Sequence, residues 1–272
     1  MGWAELGGAD RTAVIGFGIA GEYFHARFIV SNPAFELVGV MTSSPERAVR
    51  VRALAPGVEI VTSVDEVLRL RPDLVVVASP PAFHCEHARS ALDAGAAVVI
   101  DKPFAPTAGE AEEIADRAEK VGLPLTVFQN RRWDRDFATI QRLLREGQVG
   151  SPHSFESRFE WWKPDLGEEW KSTTSVAGGG GILLDLGPHL VDQAVQLLGP
   201  VAEVAYARLR TVRAGGCADD DAFVELLHES GAVSRLFMGE IVGAMGPSGL
   251  SVKYRGSLMY ADFDGAGFAG EC

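Results

Sequence analysis

RTAVIGFGIAG, residues 11–21, decides how the first half of this chain folds. The apolar run Ala13-Val14-Ile15 reads as a strand that stops at Gly16. Gly16-Phe17-Gly18-Ile19-Ala20-Gly21 is a G-x-G-x-x-G, and residues from 21 to 31 read as the helix it opens. Three glycines alone are a weak signal; a strand before them and a helix after them supply the context in which a dinucleotide pyrophosphate is held. The first glycine permits the tight turn, the second lets backbone approach the anion, and the third lets helix pack on strand. The helix N-terminus, with its unpaired N–H groups, then faces the phosphates.

Outward from this loop the pattern repeats. FELVGVMT (35–42), VEIVT (58–62), DLVVVAS (73–79), AAVVID (96–101) and PLTVFQ (124–129) read as strands. Helices read at 45–54, where Pro45 takes a favoured first-turn position, and at 65–70, 84–95 and 107–121. Nearly all-apolar strands alternating with helices imply an α/β, doubly wound parallel sheet, a Rossmann domain over 1–129. From 130 to 272 the rhythm changes. HSFESRFEWW (153–162) reads as a long strand, and a glycine run 178–181 leads into a helix at 182–198. VAEVAYARLRTV (201–212), AFVELLHE (222–229) and AVSRLFMGEIV (232–242) read as antiparallel strands, with Ser230-Gly231 as a turn. This half is expected to be an α+β domain: an open, mostly antiparallel sheet with a helix on one face, used for substrate binding and oligomerisation. The tail 246–272 reads as weak strand or loop.

The chain has 272 residues, 47% hydrophobic and 23% charged, which is enough for substantial cores. Its net charge is −12, with no Lys/Arg run, which disfavours nucleic acid and anionic membrane as partners. Cys85, Cys217 and Cys272 are few, odd in number and far apart, so neither a zinc site nor a disulfide framework is expected, and no metal is assigned. Residues 1–12 lack a basic-then-apolar pattern, and no apolar run reaches membrane-spanning length. A cytoplasmic location is the expectation.

Three places carry candidate chemistry. At the end of the second strand stands Met41-Thr42-Ser43-Ser44-Pro45-Glu46-Arg47. An NAD site usually has a carboxylate at that tip for the ribose 2′-hydroxyl. Ser43, Ser44 and Arg47 suit a 2′-phosphate instead, so NADP is favoured over NAD, although Glu46 could swing toward a ribose and Arg47 could be an ordinary helix residue. Lys102 follows the fifth strand, at the sheet edge where ligands of open α/β sheets bind, and its ammonium could polarise a carbonyl or stabilise an alkoxide. Asp185 and His189 are four apart and share a helix face; a neutral histidine beside a carboxylate is a competent base near neutral pH. The same pair could equally be a capping Asp and a packed His, and Pro188 could break the helix or mark its true start. The glycines at 178–181, permitting close approach to a ligand, favour the chemical reading.

With VIGFGIAG, SPPAFHCEHARSALDAGAAVVIDKP and GGGGILLDLGPHLVDQAVQLLG on the page, the chain resembles the Gfo/Idh/MocA oxidoreductases, which include glucose–fructose oxidoreductase and inositol dehydrogenases. The similarity runs from about residue 12 to about residue 245. Asp101 replaces the usual glutamate of the family's E-K-P block, and Pro81 stands where asparagine is common. The resemblance implies that Lys102, Asp185 and His189 form the catalytic set and that the Lys102–Pro103 bond is cis. It implies that the dinucleotide lies against Gly16, Phe17, Gly18, Ile19, Ala20, Ser79, Pro80, His84, Asp101 and Lys102. Asn130 and Arg131 could face the substrate, or Arg131 and Asp134 could be structural ion partners. Trp161, Trp162 and Lys163 sit at a strand end that often lines the family's pocket, where Trp162 could stack on a sugar or belong to a core.

The implied activity is hydride transfer between nicotinamide and a secondary alcohol or ketone of a sugar, polyol or cyclitol. The alternative is a non-catalytic dinucleotide-sensing regulator or binding protein on the same fold. A homodimer or homotetramer through the C-terminal sheet is expected. After Met245 the sequence departs from the family's usual ending, so the last strands of that sheet are expected to be absent or altered.

Overall fold

A computed structural model gives the structure over residues 9–167 and 173–242 and the backbone of a strand at 258–263. The described residues fall into two compact units that divide between Phe128 and Gln129.

The first unit is built on strands β1 (Asp10–Ile15), β2 (Phe35–Met41), β3 (Glu59–Val61), β4 (Leu74–Val77), β5 (Ala97–Asp101) and β6 (Leu125–Phe128). They pair in parallel in the order β3-β2-β1-β4-β5-β6, the doubly wound arrangement expected. The central β4 is buried along its whole length, because helices cover both faces of the sheet. On one face α3 (Val64–Arg69), α4 (His84–Asp93) and α5 (Ala108–Val121) pack Val67, Ala88, Leu92 and Ile114 against Ala13, Ile15, Val75 and Val98. On the other, the turn Ala20–Ala26, α1 (Arg27–Ser31) and α2 (Pro45–Leu54) bring Ala26, Ile29 and Val51 onto Val14, Val40 and Val76. Helix α2 begins and ends where the sequence placed it, since Ser44 accepts a hydrogen bond from the Arg47 N–H and Pro45 starts the first turn. The helix read from 21 to 31 is two segments. Residues Ala20–Ala26 wind as a π-helix before α1 continues in α geometry, a widening that periodicity does not encode.

The second unit contains α6 (Arg135–Arg145), β7 (Pro152–Glu160), α7 (Ile182–Leu198), β8 (Val201–Arg210), β9 (Asp221–His228), β10 (Val233–Gly239) and β11 (Leu258–Phe263). Its sheet runs β11-β7-β10-β9-β8. All pairs are antiparallel except β10 with β7, which is parallel. The turn expected at Ser230-Gly231 is present: Gly231 has φ +81° and its N–H donates to the His228 carbonyl. Helix α7 covers one sheet face, packing Ile182, Leu186, Leu190 and Ala194 on Phe155, Phe159, Val224, Leu226 and Leu236. It continues past Pro188, which neither ends nor starts it. The other face carries Tyr206, Phe223 and Phe237, with the Arg158 guanidinium 3.6 Å from the Phe237 ring centre. The tail read as weak strand or loop contributes β11 beside β7; the rest of 243–272 lies outside the described residues. No helix among the described residues is long and apolar enough to cross a membrane.

Candidate active site

The chemistry-bearing residues form two groups, one in each unit. In the first unit the glycine loop shows a division of labour. Gly16 has φ +95°, and a Cβ there would lie 2.5 Å from the Ala78 carbonyl oxygen. A Cβ on Gly21 would lie 2.0 Å from the Gly16 carbonyl oxygen. Both are required by the protein's own packing. Gly18 differs: a Cβ there would meet nothing within 4 Å. A glycine with open space in front of it, at a helix start, fits a pyrophosphate brought close to backbone. Phe17 is wholly buried between sheet and helix and Ile19 is exposed, so what these two offer an anion is backbone N–H.

At the tip of β2, Thr42 Oγ1 accepts from the Ser44 N–H at 3.3 Å, and the Ser44 hydroxyl is engaged as the α2 cap. Ser43 and Arg47 are exposed there. Beyond β4, Ser79 Oγ lies 2.9 Å from His87 Nδ1. His84 is 1% exposed, and its Nε2 and Nδ1 each lie 2.8 Å from a carbonyl oxygen, of Ser79 and of Pro103. Burial pulls the His84 imidazole below its ordinary pKa, while those carbonyls pull the other way. His84 therefore lies beneath the Pro80 loop and ties it to the loop after β5; its ring nitrogens face backbone rather than open space. Asp101 Oδ1 accepts the Lys102 N–H at 2.9 Å, and the Lys102–Pro103 bond is cis.

Two buried ionisable groups here went unread in the sequence. Glu22 pairs with Arg27 at 3.3 Å and Arg50 at 3.0 Å. His25 packs its ring 4.4 Å from that of Phe128, and burial lowers its pKa to about 4. Only their inward positions on the π-helical turn distinguish them from surface residues.

In the second unit, Asp185, His189 and Gln193 follow one another at four-residue steps on α7. His189 is 5% exposed and meets the Phe159 ring edge-on, with centroids 6.3 Å apart. Asp185 is half-buried in the first turn, where a carboxylate is favoured by the helix dipole. Asn130 opens a short 3₁₀ turn, Asn130–Trp133. Arg131 pairs with Asp134 at 3.0 Å, lies 4.9 Å over the Phe159 ring, and accepts Gln193 Nε2 on its carbonyl at 3.4 Å. The ion pair, one of the two readings left open for Arg131, is present, and the same side chain borders the ring that touches His189. Trp162 is 55% exposed and bridges to Ile241; it is not a core tryptophan. Lys163 Nζ lies 5.3 Å from the Trp161 ring and 3.5 Å from Glu240. Among the described residues no group of His, Cys, Asp and Glu could hold a metal ion.

Models of known families match both halves of the chain. Residues 11–129 match the sequence model described as "Oxidoreductase family, NAD-binding Rossmann fold", and residues 137–245 match "GFO/IDH/MocA C-terminal domain". The chain is 41% identical to the uncharacterized oxidoreductase YdgJ of Escherichia coli over 74% of its own length and 57% of that protein's. It is 30% identical to scyllo-inositol 2-dehydrogenase (NADP(+)) IolW of Bacillus subtilis, over 87% of this chain and 64% of the relative. Among solved structures, an NAD-binding protein from Listeria innocua superposes with a TM-score of 0.79 at 28% identity, covering 93% of this chain and 71% of that one. The chain thus spans about three fifths of YdgJ and IolW.

Proposed function

The chain belongs to the GFO/IDH/MocA oxidoreductase family, and from that premise we propose that it moves a hydride between a nicotinamide dinucleotide and a secondary alcohol or ketone of a polyol, cyclitol or sugar. The observation that carries the reading is the open Gly18 at a helix start, in a chain whose α7 also presents Asp185 and His189 on one face. A bound nicotinamide dinucleotide supplies the hydride acceptor or donor. The chain's own groups do the rest. The loop from Gly16 to Ala20 receives the pyrophosphate on backbone N–H groups, and Ser79, Pro80, Asp101 and Lys102 border the cofactor's reactive end. The Lys102 ammonium holds the substrate oxygen and favours its alkoxide. His189 takes the hydroxyl proton in oxidation and returns it in reduction. Asp185 orients the substrate or the imidazole, and Asn130, Arg131 and Trp162 contact the substrate's other hydroxyls and ring.

The cofactor preference is for NADP. Ser43 and Arg47, exposed beside the β2 tip, suit a 2′-phosphate, and the relative IolW carries NADP(+) in its name. The substrate class follows the names of that relative and of the D-glucoside 3-dehydrogenase of Escherichia coli, 32% identical over 70% of this chain. The working state is a homodimer or homotetramer associated through the C-terminal sheet, in the cytoplasm. Nucleotide reduction followed spectroscopically across a panel of inositols, aldoses and glucosides tests the proposal. Reduction with at least one of them is expected. Tight dinucleotide binding with no turnover across the panel would favour a sensor on the same fold.

A further inference from the structure

The glycine run before α7 and the acidic triplet Asp219-Asp220-Asp221 are both left over once the reacting groups are assigned. The structure joins them. Helix α7 has Gly181 where a capping side chain would stand, and makes no side-chain cap of its own. Its first N–H groups are satisfied from 36 residues further along the chain. The Leu183 N–H donates to Asp219 Oδ2 at 2.8 Å, and the Ile182 N–H donates to the Asp219 carbonyl at 2.7 Å. Gly181 has φ +100°, and a Cβ there would lie 2.3 Å from Asp219 Oδ1. The glycine is therefore the space that Asp219 occupies, and no ligand need be invoked for it. Burial raises the Asp219 pKa, and the Leu183 and Ile182 amides partly offset that.

Asp219 is itself held. Asp220, 2% exposed, accepts from the N–H groups of Val212 and Arg213 at 2.8 and 2.9 Å and from Arg213 Nε at 3.1 Å. The Arg213 guanidinium also pairs with Glu240 and donates to the carbonyls of Lys163 and Asp165. Asp221 accepts from Arg210 Nε at 2.6 Å. A hydrogen-bonded anchor thus grips the first turn of the helix that carries Asp185 and His189. That turn needs it. Pro188 donates no N–H, so the turn bearing Asp185 is tied to the rest of α7 by one hydrogen bond fewer than in an ordinary helix.

We propose that Asp219 is a positioning residue, which fixes the start and rotation of α7 and thereby the placement of Asp185 and His189. Its catalytic consequence rests on those two being the reacting groups. Asp219→Ala removes the acceptor, and Asp219→Asn keeps one. In the Ala variant, amide exchange at Leu183 accelerates and the ring resonances of His189 shift in NMR spectra. With the substrate that the panel identifies, kcat falls by about tenfold or more, as small misplacements of reacting groups commonly cost, while dinucleotide affinity is unchanged. Asp219→Asn restores all three readouts, which general destabilisation would not explain. Should the Ala variant not fold, Asp219→Glu carries the test: it keeps the charge, moves the acceptor by a methylene and lowers kcat, whereas Asn does not. A folded Asp219→Ala with parental kcat and an unshifted His189 overturns the proposal. If His189→Ala also turns over like the parent, the failure belongs to the assignment of His189 and not to the cap.

Discussion

At the scale of single residues, the first unit holds a group whose ionisation is coupled to folding. His25 titrates at about 4 in the folded chain against an ordinary 6.5, because burial disfavours its cation. Above pH 6.5 both states are neutral and the group contributes nothing. As pH falls toward 4, the unfolded chain takes up a proton that the folded chain refuses, so stability is lost across that window. At about 1.4 kcal/mol per pH unit the loss amounts to about 3 kcal/mol. His25→Phe should therefore lose less stability than the parent between pH 7 and pH 4.5, read by urea unfolding at each pH. Parallel losses in the two proteins would reject the assignment. The cofactor preference is also a residue-scale claim. Arg47→Ala should weaken NADP and leave NAD nearly unchanged in calorimetric titrations. An equal effect on both, or tighter NAD binding by the parent, would reverse it. The glycines, Lys102, Asp185 and His189 were singled out as candidates in the sequence because their types are few and their spacing is local. Asp219, His25 and Arg213 were not. Each acts through a partner distant in sequence or through inward orientation, and a run such as Ala218-Asp219-Asp220-Asp221 reads as solvated charge until its partners are seen.

At the scale of elements, α7 is both the floor of the second core and the carrier of the candidate reacting groups. Leu190, fully buried and adjacent to His189, packs into the cluster with Phe155 and Leu236. Leu190→Ala should cost about 2–5 kcal/mol, the usual range for a leucine truncated in a packed core. Thermal or urea unfolding measures it, and a change under 1 kcal/mol would mean that α7 is not anchored there. Most elements could be placed from sequence because burial imprints a period on them. The all-apolar strand β4 and the Ser44-Pro45 helix start left little freedom. What stayed hidden is what periodicity does not record. The π-helical turn at Ala20–Ala26 buries Glu22 and His25 and exposes Tyr23 and Phe24, the reverse of what their polarity suggests. The parallel pairing of β10 with β7 is invisible because alternation along a strand is the same whichever way its neighbour runs. Strand β11 sits in a glycine-rich tail whose composition is that of loops.

At the scale of the whole molecule, the second sheet has helix α7 on one face and aromatic rings among charges on the other. Tyr206 is exposed, as are Val204 and Leu209 on edge strand β8. Burying such surface in a second copy releases roughly 25 cal/mol per Å² of apolar area. A homo-oligomer through this sheet should show a subunit multiple by light scattering and dissociate in Tyr206→Glu or Phe223→Arg. A monomer at all concentrations would refute it. The central claim, however, is hydride transfer by the family's chemistry on this chain, and label transfer tests it most directly. The polyol or sugar that turns over is supplied with deuterium on its carbinol carbon, together with NADP, and the reduced nucleotide is examined by mass spectrometry. The account predicts one deuterium per reduced nicotinamide, formed by the parent and lowered roughly 10²–10⁴-fold in rate in His189→Ala. Reduced nucleotide without the label, or equal rates in the two proteins, would contradict it.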